Sequence, residues 1–306
     1  MLREAVASVM AQRDVCFELI VVDDSSTDGT CDGLRDWIAA FATPSALLAR
    51  VVRNRRNQGA AAARNAGVAM VTAPLIAFLD SDDLWLPMKL SRQLAFMRAS
   101  PGCQISQTDE IWLRHGRRVN PGLRHQKRAG DIFVDSLRTC LISPSAVMMQ
   151  TELFDEVGGF DERMTAAEDY DLWLRILQHH EVGLLNEPLV TRRAGHPGQL
   201  SATTSAIDRY RILALLKLLA ATDLSDTRRR AIAEVLAEKC RIYGTGLARR
   251  RLQSTSEFIL GLAARAEAWA IAPDACLRDA TSRMGAILLT DQSPDEVPSA
   301  SAIGTL

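Results

Sequence analysis

The sequence predicts an α/β domain with a largely parallel sheet over residues 1–203, followed by a helical region over 204–289. Three observations lead there. Strand-like and helix-like patterns alternate at short intervals through the first two thirds of the chain, as they do where strands are joined by crossover helices. Two apolar strands run straight into aspartates, at Asp23-Asp24 and at Asp80-Ser81-Asp82-Asp83, the place where an open α/β sheet holds its ligand. Beyond about residue 204 no strand pattern recurs.

In chain order, Leu2, Val6, Val9 and Met10 share one face of an opening helix. FELIVV (17–22) is a buried strand, and CDGLRDWIAAF is a helix entered through Thr27 and Asp28, whose side chains suit free backbone amides. LLARVVRN is the next strand, AAAARNAGVAMV an alanine-rich helix, and LIAFLD (75–80) another strand. From 101 to 150 the pattern loosens into a hairpin about His115-Gly116, an irregular basic segment and a strand, SAVMMQ. AEDYDLWLRILQHH is helical. Leu213, Leu216 and Leu219, then Ile232, Val235 and Leu236, mark later helices, with SDTRRR as a capped junction. Residues 290–306 read as a disordered tail.

At 306 residues, 47% of them hydrophobic, the chain can bury a large core, which excludes disorder of the whole. A net charge of -1, with no interleaving of arginine and aromatic residues, argues against a nucleic-acid partner. The basic excess is local: 14 basic against 9 acidic residues between 204 and 283. That balance fits a solvated helix face or a peripheral association with an anionic membrane. Six scattered cysteines without zinc-ligand spacing read as reduced thiols, and the chain opens on an amphipathic helix pattern rather than a leader. The expectation is a cytoplasmic protein, at the inner face of the membrane where the basic region meets lipid.

Aspartate between a strand and a helix is ordinary turn and cap chemistry. Two such clusters at one sheet edge are different, because crowded like charges cost free energy unless a cation or hydrogen-bond donors compensate. In an extended segment Asp80 and Asp82 would point the same way, and oxygen ligands favour Mg²⁺ or Mn²⁺ over zinc. A third cluster, Glu168, Asp169 and Asp171, stands at a helix start, where it fits either dipole compensation or a catalytic base. Trp173, at helical spacing, reads as core, while Trp85 is open between core and a stacking contact with sugar or acceptor. His196, in RRAGHPGQLS, is a candidate to complete a metal or pyrophosphate site, and Arg192 and Arg193 are candidates to meet a diphosphate.

Taken in order, LREAVASVMAQ, FELIVVDDSSTDGT, NQGAAAARNAG, APLIAFLDSDDLWLP, LFDEVGGFDE and AEDYDLWLRI resemble the inverting family 2 glycosyltransferases of the GT-A fold, across residues 1–203. The resemblance implies a Rossmann-like, mostly parallel sheet flanked by helices. It also implies sugar transfer from a nucleotide-sugar donor, UDP-type, to a glycan or lipid-linked acceptor, with Mg²⁺ or Mn²⁺, in surface polysaccharide synthesis. By it Asp24 looks like the nucleobase contact, Asp80 the ribose contact and Asp82 the metal ligand, with His196 joining it. Asn57 and Arg64 look like part of the nucleotide wall. Asp169 looks like the general base, with Glu168 and Trp85 on the acceptor side.

One departure stands out. Family members normally begin with a strand and turn of the type VSVVIPTYNR, central in the sheet, before the helix that matches Leu2 to Gln12. The expectation is either a late start or a truncated remnant that binds without catalysing. Two rivals remain: a nucleotidyltransferase, which usually shows a Gly-rich phosphate loop that is not found here, and a signalling receiver domain, which leaves AEDYDLWLRI unused.

Overall fold

A computed structural model describes residues 1–40, 45–196, 207–221, 223–272 and 274–289; the expected tail over 290–306 lies outside the described residues. The chain divides into two compact units, Met1–Thr203 and Thr204–Leu306.

The first unit opens on α1 (Leu2–Met10), which buries Ala5, Val6, Val9 and Met10 on one face. Burying each larger apolar side chain contributes about 1.5–3 kcal/mol. Gln12 then fixes the helix end to a distant segment: its Nε2 donates to the Leu86 carbonyl at 2.8 Å, and its Oε1 accepts from the Leu90 amide at 2.9 Å. β1 (Phe17–Asp23) alternates strictly, with Phe17, Leu19 and Val21 facing the core and Asp23 ending the strand. After α2 (Leu34–Ala40), β2 (Ala46–Arg53) pairs with β1 in parallel, Val21 opposite Val51.

The remaining strands make a second sheet. These are β3 (Leu75–Ala77), β4 (Leu84–Trp85), β5 (Ile105–Arg114), β6 (Arg117–Val119), β7 (Val147–Gln150) and β8 (Gly183–Ala194), in the order β3-β7-β5-β8-β4 with β6 on β5. The α/β core is therefore present, but its sheets are mixed. Among the described residues, only β1–β2 and β5–β8 run parallel, and the other four strand pairings are antiparallel. A short buried strand looks the same in sequence whichever way its neighbour runs, so direction was not readable. The hairpin about His115-Gly116 does form, with both residues at positive φ (50° and 74°), as a two-residue turn requires.

Between the sheets the ladder is interrupted: β1 pairs only with β2, and β3 only with β7, among the described residues. The two are joined instead by side chains. Thr72, ahead of β3, donates through its amide and hydroxyl to the Glu18 carboxylate on β1. Core residues from both sheets, including Leu19, Val21, Trp85, Met148 and Val190, share one apolar cluster. The flanking helices are α3 (Ala60–Val68), α4 (Lys89–Ala99), α5 (Phe133–Arg138), α6 (Thr151–Glu156) and α7 (Glu168–Leu177).

The second unit contains α8 (Asp208–Leu219), α9 (Asp226–Arg249), α10 (Gln253–Ile271) and α11 (Ala275–Leu289). Ser225 caps α9 by accepting from the Arg228 amide, as the SDTRRR junction predicted. Gly244 lets α9 and α10 approach closely, since a Cβ there would meet Leu260 Cγ at 2.8 Å. No helix among the described residues is long and apolar enough to cross a membrane.

Candidate active site

Asp23 and Asp24, at the end of β1, have separate tasks. Asp23 Oδ1 accepts from the Ser26 amide at 2.9 Å and closes the turn, while Arg53 lies 3.3 Å from its other oxygen. Asp24 clamps the loop ahead of α3: it accepts from Asn54 Nδ2 at 2.8 Å, from the Gln58 amide at 3.0 Å and from the Gly59 amide at 2.6 Å. Gly59, at φ 90°, starts α3 in a conformation that L side chains rarely adopt, so the clamp and the glycine together fix this wall. Asn57 is exposed in the same loop.

One turn into α3, Arg64 reaches across the site. Its Nη2 donates to Asp80 at 2.7 Å and its Nη1 to Glu168 at 2.6 Å, with the guanidinium 5.2 Å over the Phe160 ring. Burial works against the charge on Arg64, but Asp80 and Glu168 more than offset it and its pKa is raised. Because one guanidinium holds both carboxylates, the loop after β3 and the turn before α7 border the same space.

That loop carries the acidic cluster. β3 stops at Ala77, and the chain turns so that the Asp83 amide donates to the Asp80 carbonyl at 3.0 Å. Convergence therefore comes from a turn rather than from alternation along a strand, and it recruits Asp83 as well. Asp80, Asp82 and Asp83 each offer a carboxylate oxygen within 4.8 Å of the others. His196 joins from the end of β8, its Nε2 2.8 Å from Asp82 Oδ2. Hard oxygen donors with one imidazole fit Mg²⁺ or Mn²⁺, and the spacing of Asp82 and His196 is close to the roughly 3 Å between adjacent ligands of an octahedral ion. Burial, and then the charge of Asp80, push Asp83 up to about 7. Arg193 braces the cluster from outside: its amide donates to Asp83 Oδ1, its Nε to the Asp82 carbonyl and its Nη1 to Glu4.

Across the site, Ala167 adopts a left-handed conformation, φ 55° and ψ 23°, immediately before α7. A non-glycine residue held there stores strain at a turn that aims side chains. Glu168 is buried, and burial and then the neighbouring charge of Asp169 raise its pKa against the pull of Arg64. Asp169 is half-buried, its Oδ1 accepting from the Tyr170 amide at 2.7 Å and its Oδ2 3.7 Å from the Cys140 thiol. Asp171 is occupied elsewhere: it pairs with Arg175, which also donates to the Val157 and Gly159 carbonyls and so anchors the segment before the turn.

Residues 1–158 match the sequence family described as Glycosyl transferase family 2. The chain belongs to this family. An uncharacterized glycosyltransferase of Rickettsia conorii is 30% identical over 186 residues, 61% of this chain but 29% of that protein, so the chain spans less than a third of its length. The UDP-Glc:alpha-D-GlcNAc-diphosphoundecaprenol beta-1,3-glucosyltransferase of Escherichia coli is 30% identical over 60% of this chain and 66% of its own. In fold, the chain is similar to S. aureus TarS in complex with UDP-GlcNAc, with a TM-score of 0.66 at 18% identity over 96% of this chain and 84% of that one. It is also similar to the Pyrobaculum calidifontis mannosyltransferase in complex with GDP-Man and Mn²⁺, with a TM-score of 0.55 at 18% identity over 94% of this chain and 81% of that one.

In this family 2 domain, Asp80, Arg64 and Glu168 come together, as do Asp82 and His196. Trp85 does not open on the site: it is 6% exposed, with its indole donating to the Ser145 carbonyl at 2.7 Å. Trp173 is core. Ser145 escaped notice in the sequence, yet its hydroxyl donates to Asp83 at 2.6 Å and accepts from the Asp80 amide at 3.2 Å. It sits 62 positions from Asp83, and nothing local signals it.

Proposed function

We propose that this domain transfers a sugar, with inversion, from a UDP-type nucleotide sugar to a hydroxyl of a glycan or lipid-linked acceptor. The observation that carries the proposal is the single Arg64 guanidinium joining Asp80 to Glu168, which draws the acidic cluster and the Asp169 turn to one space. Asp82 and His196 would hold a divalent ion, with Asp80 and Asp83 beside them. When bound, the ion supplies Lewis-acid neutralisation of the diphosphate leaving group. Asp169 takes the proton from the acceptor hydroxyl as its oxygen bonds to the anomeric carbon. On the opposite face the bond to the diphosphate oxygen breaks, its electron pair leaving with the nucleoside diphosphate. Asp24 and the Asn54–Gly59 loop wall the nucleoside side.

The Escherichia coli relative, named for a UDP-glucose donor and a diphosphoundecaprenol acceptor, supports this class of donor and acceptor. The basic balance of residues 204–283 supports work close to an anionic membrane. The test is titration with UDP and turnover of UDP-sugars, each with Mn²⁺ and with chelator. Metal-dependent UDP binding with slow donor hydrolysis is expected; neither binding UDP nor cleaving any donor would overturn the reading.

A further inference from the structure

The irregular basic segment at the end of β5 takes no part in the donor chemistry above. Residues 111–130 hold six cations, Arg114, Arg117, Arg118, Arg124, Lys127 and Arg128, and no aspartate or glutamate. All but Lys127 are exposed. Arg114 and Arg117 are direct partners across the antiparallel β5–β6 hairpin, and like charges set opposite each other destabilise a hairpin unless something anionic relieves them. Among the described residues, neither of them nor Arg118 makes an ion pair or a side-chain hydrogen bond. Arg128 is matched by Asp135 at 2.6 Å, and Arg124 donates to His125 at 3.1 Å.

The same segment raises an apolar tip. Leu123, after Pro121-Gly122, is 85% exposed, more than any other large hydrophobic side chain among the described residues. Its loop is anchored on the far side. The His125 amide donates to the Gly122 carbonyl at 2.8 Å, the His125 ring packs on the Trp112 indole with centroids 5.3 Å apart, and Lys127 Nζ donates to the Leu141 carbonyl at 3.1 Å and the Ser143 hydroxyl at 3.0 Å. A leucine held outward beside unmatched arginines suits an anionic bilayer, where cations meet headgroups and an apolar side chain enters the acyl boundary. A soluble polyanion would satisfy the arginines but leave the leucine in water. The hairpin also stands at the rim of the candidate site: the His115 amide donates to the Ala194 carbonyl at 3.1 Å, and Ala194 lies just ahead of His196, which contacts Asp82.

We infer that residues 114–128 form a docking surface for an anionic lipid bilayer, with Arg114, Arg117 and Arg118 on headgroup phosphates and Leu123 inserted at the acyl boundary. Docked in this way, the chain would take a lipid-linked acceptor at the rim of the acidic cluster. This deepens the acceptor side of the transfer reading and rests on that reading for the acceptor, whereas the bilayer contact itself does not.

The test is co-sedimentation of the full chain with vesicles of phosphatidylcholine and phosphatidylglycerol in equal parts, and with phosphatidylcholine alone, at low and high salt. Wild type is expected to bind the anionic vesicles only, and to release them in high salt. Arg117→Gln/Arg118→Gln should lose about tenfold or more in affinity, and Leu123→Ser about fivefold or more, both with the urea midpoint of wild type. Wild-type binding that ignores lipid charge, or no binding at all, would overturn the surface. Wild-type affinity in the arginine variant would overturn it too, because the contact would then reside elsewhere in the chain. Wild-type affinity in Leu123→Ser, with soluble polyphosphate displacing the vesicles, would make this a polyanion site rather than a lipid one. Failure of the transfer reading is separate: the chain would then neither bind UDP nor cleave a donor, whatever its affinity for vesicles.

Discussion

Glu168 Oε1 accepts from Arg64 Nη1 at 2.6 Å, across 104 positions of the chain. Removing the arginine would leave the buried Glu168 carboxylate uncompensated. Arg64→Met is expected to cost about 3–5 kcal/mol, read as a lower urea midpoint. Arg64→Met/Glu168→Gln should recover part of that loss, because the stranded charge is gone. A stability for Arg64→Met within 0.5 kcal/mol of wild type, on the order expected for an ordinary surface change, would mean that the two walls are not coupled through this pair.

Asp169→Asn keeps the shape of the turn but removes the proposed proton acceptor. Transfer is expected to fall by about 10²- to 10⁴-fold with donor affinity unchanged. Single-turnover rates beside UDP-sugar titrations separate the two quantities, and normal turnover would reassign the base.

Asp82→Ala should do the reverse. Losing the carboxylate that His196 contacts at 2.8 Å is expected to weaken Mn²⁺-dependent UDP binding, leaving the metal-independent part intact. Titrations with and without chelator read the difference, and an unchanged metal requirement would exclude Asp82 from the site.

Asp24→Ala releases the donors of Asn54, Gln58 and Gly59 together. A cost of about 1–3 kcal/mol is expected, with faster proteolytic cleavage between residues 54 and 59 and weaker UDP binding. Unchanged cleavage would show that the loop does not depend on this clamp.

Lys89 supplies a pH test away from the site. It is fully buried, its Nζ 3.1 Å from the Val147 carbonyl and 4.2 Å over the Trp85 ring, and burial holds its pKa well below the usual lysine range. Between that depressed value and about 10.4 the unfolded chain carries a proton that the folded chain lacks. Stability should therefore rise with pH through this window, by up to about 1.4 kcal/mol per unit, and level off above it. Lys89→Met should remove that slope and be more stable at pH 7. Parallel slopes for the two proteins in urea titrations from pH 7 to 10 would sink the idea.

Much of this protein was legible as sequence because its signals are local. The spacing of Val6, Val9 and Met10, the alternation of Phe17, Leu19 and Val21, the His115-Gly116 turn and the Ser225 cap each depend on a few neighbouring residues. So did the exit of β1 into Asp23 and Asp24, whereas β3 stops at Ala77, three residues short of Asp80. The partners of those aspartates were not legible. Asp24 engages residues thirty or more positions away, Asp83 is held by Ser145 and by the Arg193 amide, and Trp85 turns inward to a carbonyl 60 positions on. Strand direction was equally hidden. Backbone torsions and hydrophobic period act over a single turn or strand and are written in the residues themselves. Which carboxylate meets which cation is decided only when antiparallel returns and long crossovers bring distant segments within hydrogen-bonding distance.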